Sequence, residues 1–143
     1  MKKIIIFLVI VLIIVASIGY MYLNYQANYR EAQKINAQYE WYKDKEILGT
    51  DLATLINRAV DDNTKNDIQK DSTGLYEDNG KNSVRIDILF TDDNEVHSME
   101  EIYNSGTDTF MQYYNQIKFK CTKMEYHQNN GRVSYLYFEQ IAT

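Results

Sequence analysis

Residues Ile4 to Leu23 read IIIFLVIVLIIVASIGYMYL, twenty positions without a charge. A helix rises about 1.5 Å per residue, so this run reaches about 30 Å, the thickness of a bilayer's hydrocarbon core. That agreement of length with lipid makes the stretch a membrane anchor, with Ile4, Leu8, Leu12, Val15 and Leu23 among the side chains expected to meet acyl chains. Lys2 and Lys3 are the charges ahead of it, and the positive-inside rule holds such an end in the cytoplasm. The expected topology is a single pass with the N-terminus inside and everything after Leu23 exported. Tyr20, Tyr22 and Tyr25 suit the lipid–water interface as an aromatic belt. A cleaved signal peptide is the competing reading, because Ser17 and Gly19 are small residues at suitable spacing. Against it, the apolar run continues through Tyr20, Met21, Tyr22 and Leu23.

Beyond the anchor, Asn24 to Glu46 contains neither Gly nor Pro and is rich in Ala, Gln, Glu and Lys, so the helix is expected to continue outward. Tyr22, Tyr25, Tyr29, Ala32, Asn36 and Tyr39 recur at spacings of three and four, which aligns them on one face. Two uses fit that face: pairing of subunits through a short coiled coil, or docking of the distal half against the chain's own domain. The stripe is short and carries Tyr where coiled coils place Leu or Ile. The resulting division is an anchor over 1–23, a helical extension over 24–46 and an extracytoplasmic domain over 47–143.

The 143 residues leave room for one small domain after the anchor. Formal net charge is −5, and with Lys2 and Lys3 set aside the remainder carries −7, a sign that argues against nucleic-acid binding. The one cysteine, Cys121, excludes an internal disulfide framework and an N-terminal lipoprotein anchor. Absence of proline removes any Pro-rich linker.

Within the domain, Gly49 reads as a helix C-cap and Thr50 or Asp51 as the cap of a new helix carrying Leu52, Leu55, Ile56 and Ala59. Asp61 to Asp67 (DDNTKND) reads as a polar loop; as a calcium loop it lacks the central Gly and closing Glu. Val84, Ile86, Ile88 and Phe90 alternate as a strand, with Leu89 breaking the alternation. Ser98 to Glu101 is a capping box, and Gly106 separates two short helices. Ile117, Phe119 and Cys121 alternate, and Met124 and Tyr126 resume on the opposite parity, which calls for a bulge near Thr122. Asn130-Gly131 turns the chain into a last strand from Val133 to Ile141. The expected class is α+β, with short helices on an antiparallel sheet. Charge is uneven along this domain: Asp61 to Asp108 holds 13 acidic and 4 basic residues, Thr109 to Thr143 holds 2 acidic and 4 basic.

No catalytic residue, cofactor or metal site is assigned. Cys121 and His127, six residues apart on one strand, would lie about 20 Å from each other, too far for a nucleophile and base. Cys121 reads as a buried, inert thiol. His97 with Glu100 and Glu101 is a ligand-like set on one turn, although both glutamates have capping or helix-dipole reasons to be there. The glycines are too scattered for a phosphate loop, and neither G-x-S-x-G nor H-E-x-x-H occurs.

Lys45 to Asp51 (KEILGTD), Leu55-Ile56-Asn57 with Ala59, Met99-Glu100 with Ile102, Phe119 to Thr122 (FKCT), Tyr126-His127 and Phe138-Glu139 resemble small single-pass, membrane-anchored proteins of clostridia-like Firmicutes. That resemblance implies the anchor-plus-domain layout and no activity. In outline the chain is also similar to type IV pilins and pseudopilins, whose long N-terminal helix is half in the membrane and half packed on an antiparallel sheet. It departs from them in passing from Lys3 directly into Ile4 and in having no Glu before Glu31. The expected function is protein association in the bacterial cell envelope as a non-catalytic structural or accessory component, with self-association or a protein partner implied. A ligand- or cation-binding surface sensor is the alternative, and an envelope hydrolase a third.

Overall fold

A computed structural model describes residues 1–141, so the expected domain end at Thr143 lies outside the described residues. The apolar run begins a helix, α1, that extends unbroken from Lys2 to Glu40. It stops short of Glu46. Asp44 takes a left-handed backbone (φ 58°), and the chain behind it becomes an edge strand, β1 (Glu46–Leu48), paired with Lys118 to Lys120. Helix-favouring composition carries no information about where a sheet edge captures the chain, which is why the extension reads too long.

Helix α2 follows at once, from Gly49 to Lys65. Gly49 therefore opens this helix and does not cap the previous one. Its N–H donates to the Ile117 carbonyl at 2.9 Å, and a Cβ there would collide with the Tyr114 carbonyl oxygen. The close backbone approach selects glycine. The polar run after Ala59 also turns out helical as far as Lys65, because Asn63 is fully buried. Its amide donates to the Val84 carbonyl at 2.7 Å and accepts the Val84 N–H at 2.8 Å. Asn63 thus completes the strand's backbone pairing from the side of a helix, a service that polarity counts misread as a loop.

Strands β2 (Arg85–Leu89) and β3 (Val96–Ser98) form a tight hairpin. Helices α3 (Met99–Ser105) and α4 (Thr107–Tyr114) come next, then β4 (Lys118–Tyr126) and β5 (Val133–Gln140). The capping box at Ser98 is present in both directions. The β4–β5 register shifts between Cys121 and Lys123, the bulge that the change of parity demands.

The strands line up in the order β1-β4-β5-β2-β3. The fold is α+β, and the sheet is antiparallel throughout except at its centre, where β2 and β5 run parallel. Both of these inner strands turn apolar residues to the core: Ile86, Ile88, Leu136 and Phe138 are fully buried. They meet Leu52, Leu55, Ile56 and Ala59 of α2, Met99 and Ile102 of α3 and Phe110 of α4. Each of the larger side chains contributes about 1.5–3 kcal/mol on burial, and together they make one core between a helical layer and the sheet. The opposite face of the sheet is polar. Asp87 is buried there, accepting from Arg85 at 2.8 Å and from the Tyr135 hydroxyl at 3.0 Å. Burial, and after it the Asp87 charge, pushes the Tyr135 hydroxyl's pKa well above its ordinary value.

Candidate functional site

Two features stand apart from the packed core, and each is built by a different part of the chain. The first is α1. Its apolar window has a mean hydropathy of 3.1 and none of it is buried. Ile4, Leu8, Leu12, Val15 and Leu23 all present their side chains outward. A folded domain gains nothing by displaying such a surface to water, so the helix has the length, composition and exposure of a membrane span. Among the described residues it is the one helix that meets those requirements.

The face running along the extension divides in two. Tyr22, Tyr25 and Tyr29 are exposed, with the Tyr25 and Tyr29 rings stacked at 6.5 Å. Ala32, Asn36 and Tyr39 are buried against the domain. Asn36 donates to the Gly131 carbonyl at 2.7 Å and accepts the Val133 N–H at 2.8 Å, repeating on α1 what Asn63 does on α2. The Tyr39 hydroxyl donates to Asp62; burial, then that bond to a carboxylate, raises its pKa far above the usual phenol value. Arg132 pairs with Glu31 at 3.0 Å. Tyr22, Tyr25 and Tyr29 are therefore exposed, while Ala32 and Tyr39 are committed within the chain.

The second feature is the β2–β3 hairpin. His97 lies on β3, ahead of α3, and its surroundings differ from the set suggested by sequence. Glu100 points elsewhere: it is buried, Oε1 accepts the Tyr76 N–H at 3.0 Å, and Oε2 has no partner. Glu101 keeps its capping role, accepting the Ser98 N–H at 3.0 Å, and the same Oε2 stands 3.4 Å from His97 Nδ1. Asp93 and Glu95 complete the group. Ligand atoms of Asp93, Glu95 and His97 all fall within 4.8 Å of one another, and Asp93 Oδ2 is 3.3 Å from His97 Nε2. The Glu95 backbone N–H, and after it His97, hold the Asp93 carboxyl below its ordinary pKa. The Phe90 ring meets the imidazole edge-on at 5.2 Å.

Beside this group lies a groove of about 260 Å³ that shares Asp93, His97 and Glu101 and is otherwise walled by Phe90, Phe110 and Tyr114 with their neighbours. Asp93 and Glu95 precede β3, which begins at Val96, so the turn, and not a strand face, brings both carboxylates to His97.

Cys121 and His127 each have surroundings of their own. Cys121 is buried, and burial pushes its thiol pKa up. His127 is also buried, with Nε2 at 2.8 Å from the Ser83 carbonyl, a structural bond between the β4–β5 turn and the segment leading into β2.

No family model, curated protein or solved structure matches this chain.

Proposed function

We propose that this protein is tethered in the cytoplasmic membrane of a bacterium by Ile4 to Leu23, and that it holds its α+β domain outside the cell, where it acts by association with protein. The observation that carries this reading is the complete exposure of the apolar part of a helix whose other end packs, without a break, into the domain. Lys2 and Lys3 favour the orientation with the N-terminus inside. Between Leu23 and the first buried residue, Ala32, the helix lifts the domain off the lipid by roughly 13 Å at its ordinary rise. That spacer displays Tyr25 and Tyr29, large amphipathic rings of the kind enriched at protein contacts. The role is structural or accessory and non-catalytic, and in outline the helix-and-sheet layout is like that of pilin-like envelope proteins.

Disulfide trapping in intact membranes tests the association. Tyr25→Cys and Tyr29→Cys are expected to give a covalent dimer or a discrete adduct with another protein, while Ala27→Cys, on a different side of the helix, gives much less. A strictly monomeric species at all three positions would contradict it.

A further inference from the structure

We propose that Asp93, Glu95 and His97 form a binding site for a divalent transition-metal ion of the zinc class, with Glu101 as the outer carboxylate that orients the imidazole. The argument starts from the two contacts of His97. Its Nε2 faces Asp93 at 3.3 Å and its Nδ1 faces Glu101 at 3.4 Å. Both are longer than the 2.7–3.2 Å typical of a well-formed N–H···O bond. A neutral imidazole carries one proton. Whichever ring nitrogen holds it, the lone pair of the other points at a carboxylate oxygen, Asp93 Oδ2 or Glu101 Oε2. Two acceptors facing each other call for a positive centre between them, either a second proton on the ring or a metal ion.

The spacing favours the ion. Bonds of about 2.0–2.2 Å from a tetrahedral zinc to nitrogen and oxygen place neighbouring ligand atoms about 3.3–3.5 Å apart. The Nε2 to Oδ2 separation falls in that range as it stands. Glu95 is exposed, so its side chain can move the remaining distance at little cost. The carboxylate–histidine contact on the far side of the ring matches the outer arrangement that holds metal-ligating imidazoles in one tautomer. The donor set of one imidazole and two carboxylates suits zinc or manganese better than calcium, which takes six to eight oxygens. Three protein ligands also leave a coordination position for water or an outside donor. The aromatic groove next to the site, sharing Asp93 and His97, is where such a donor would approach.

This inference does not depend on the membrane reading, and its test has a separate readout. The full chain, in detergent micelles and stripped of metal with a chelator, is titrated with zinc chloride, cobalt chloride and calcium chloride. Expected are one saturable zinc site per chain, a rise in melting temperature with zinc but not calcium, and intense visible cobalt bands of a tetrahedral centre. His97→Ala and Asp93→Asn should abolish the cobalt bands. Glu101→Gln, which can preserve the capping box, should weaken zinc binding by about 10- to 100-fold. Should His97→Ala fail to fold, Glu95→Gln at the exposed turn decides, with an expected loss of about tenfold or more in affinity. Absence of saturable zinc binding, or unchanged affinity in Glu95→Gln and Asp93→Asn, overturns the site and leaves His97 as a side chain hydrogen-bonded to Asp93.

Discussion

Ile4 to Leu23 and Ala32 to Glu40 belong to one unbroken helix, with the same backbone and opposite surroundings. The first segment buries nothing and is apolar on every side. The second is largely polar, and yet it holds Ala32, Asn36 and Tyr39 in the interior. Burial here follows from partners and not from hydropathy. Asn36 can be inside because both ends of its amide meet backbone groups of Gly131 and Val133, whereas the leucines and isoleucines of the first segment have no protein to meet and call for lipid. Length and composition suffice to recognise the first arrangement. The second depends on where a strand 97 residues away in sequence comes to rest.

Changes to the two segments should therefore separate cleanly. The largest effect belongs to the first. Leu12→Arg with Ile13→Arg places two charges at the centre of the span, at a cost of about 5–7 kcal/mol for insertion; the protein is expected to leave the membrane fraction on alkaline extraction while the domain keeps its melting temperature. Next comes Asn36→Ala, which leaves the Val133 N–H and the Gly131 carbonyl without their partner. A loss of about 2–3 kcal/mol follows, seen as a melting temperature lower by roughly 10–20 °C for a domain this size, with membrane extraction unchanged. Tyr39→Phe keeps the ring in place and removes the bond to Asp62, an expected loss of about 1 kcal/mol in a denaturant melt. Glu31→Gln, at an exposed ion pair with Arg132, should cost under about 1 kcal/mol and less still in high salt. An Asn36 variant that released the chain from the membrane, or an arginine pair that unfolded the domain, would break the division between the segments.

The same contrast explains what could be read in advance. Local patterns carried through wherever neighbours in sequence are neighbours in space: the Ser98 capping box, the Gly106 break between α3 and α4, the Thr122 bulge and the Asn130-Gly131 turn. Three readings needed tertiary information. Helix α1 ends at Glu40 because β1 joins the edge of β4. Asp61 to Lys65 is helical because Asn63 bonds to Val84 across the interior. The sheet holds one parallel pair because β5 returns beside β2 in the same direction. At the hairpin, the sequence grouped His97 with Glu100 and Glu101; Glu101 does stand 3.4 Å from the imidazole, and Glu100 does not join it. That glutamate's first-turn position was consistent with a solvated acid, and its burial under Tyr76 is set by the long segment between α2 and β2. Asp93 and Glu95, whose ligand atoms do lie near His97, were outside that group.

The division of α1 between lipid and protein is most directly tested by a cysteine-accessibility scan on intact cells with a membrane-impermeant maleimide. Cys121 is buried and gives a low background. The account predicts that Tyr25→Cys labels from outside, that Leu12→Cys stays unlabelled with or without permeabilisation, and that Lys3→Cys labels only once the membrane is opened. Labelling of Leu12→Cys in intact cells, or protection of Tyr25→Cys until the membrane is opened, would contradict it.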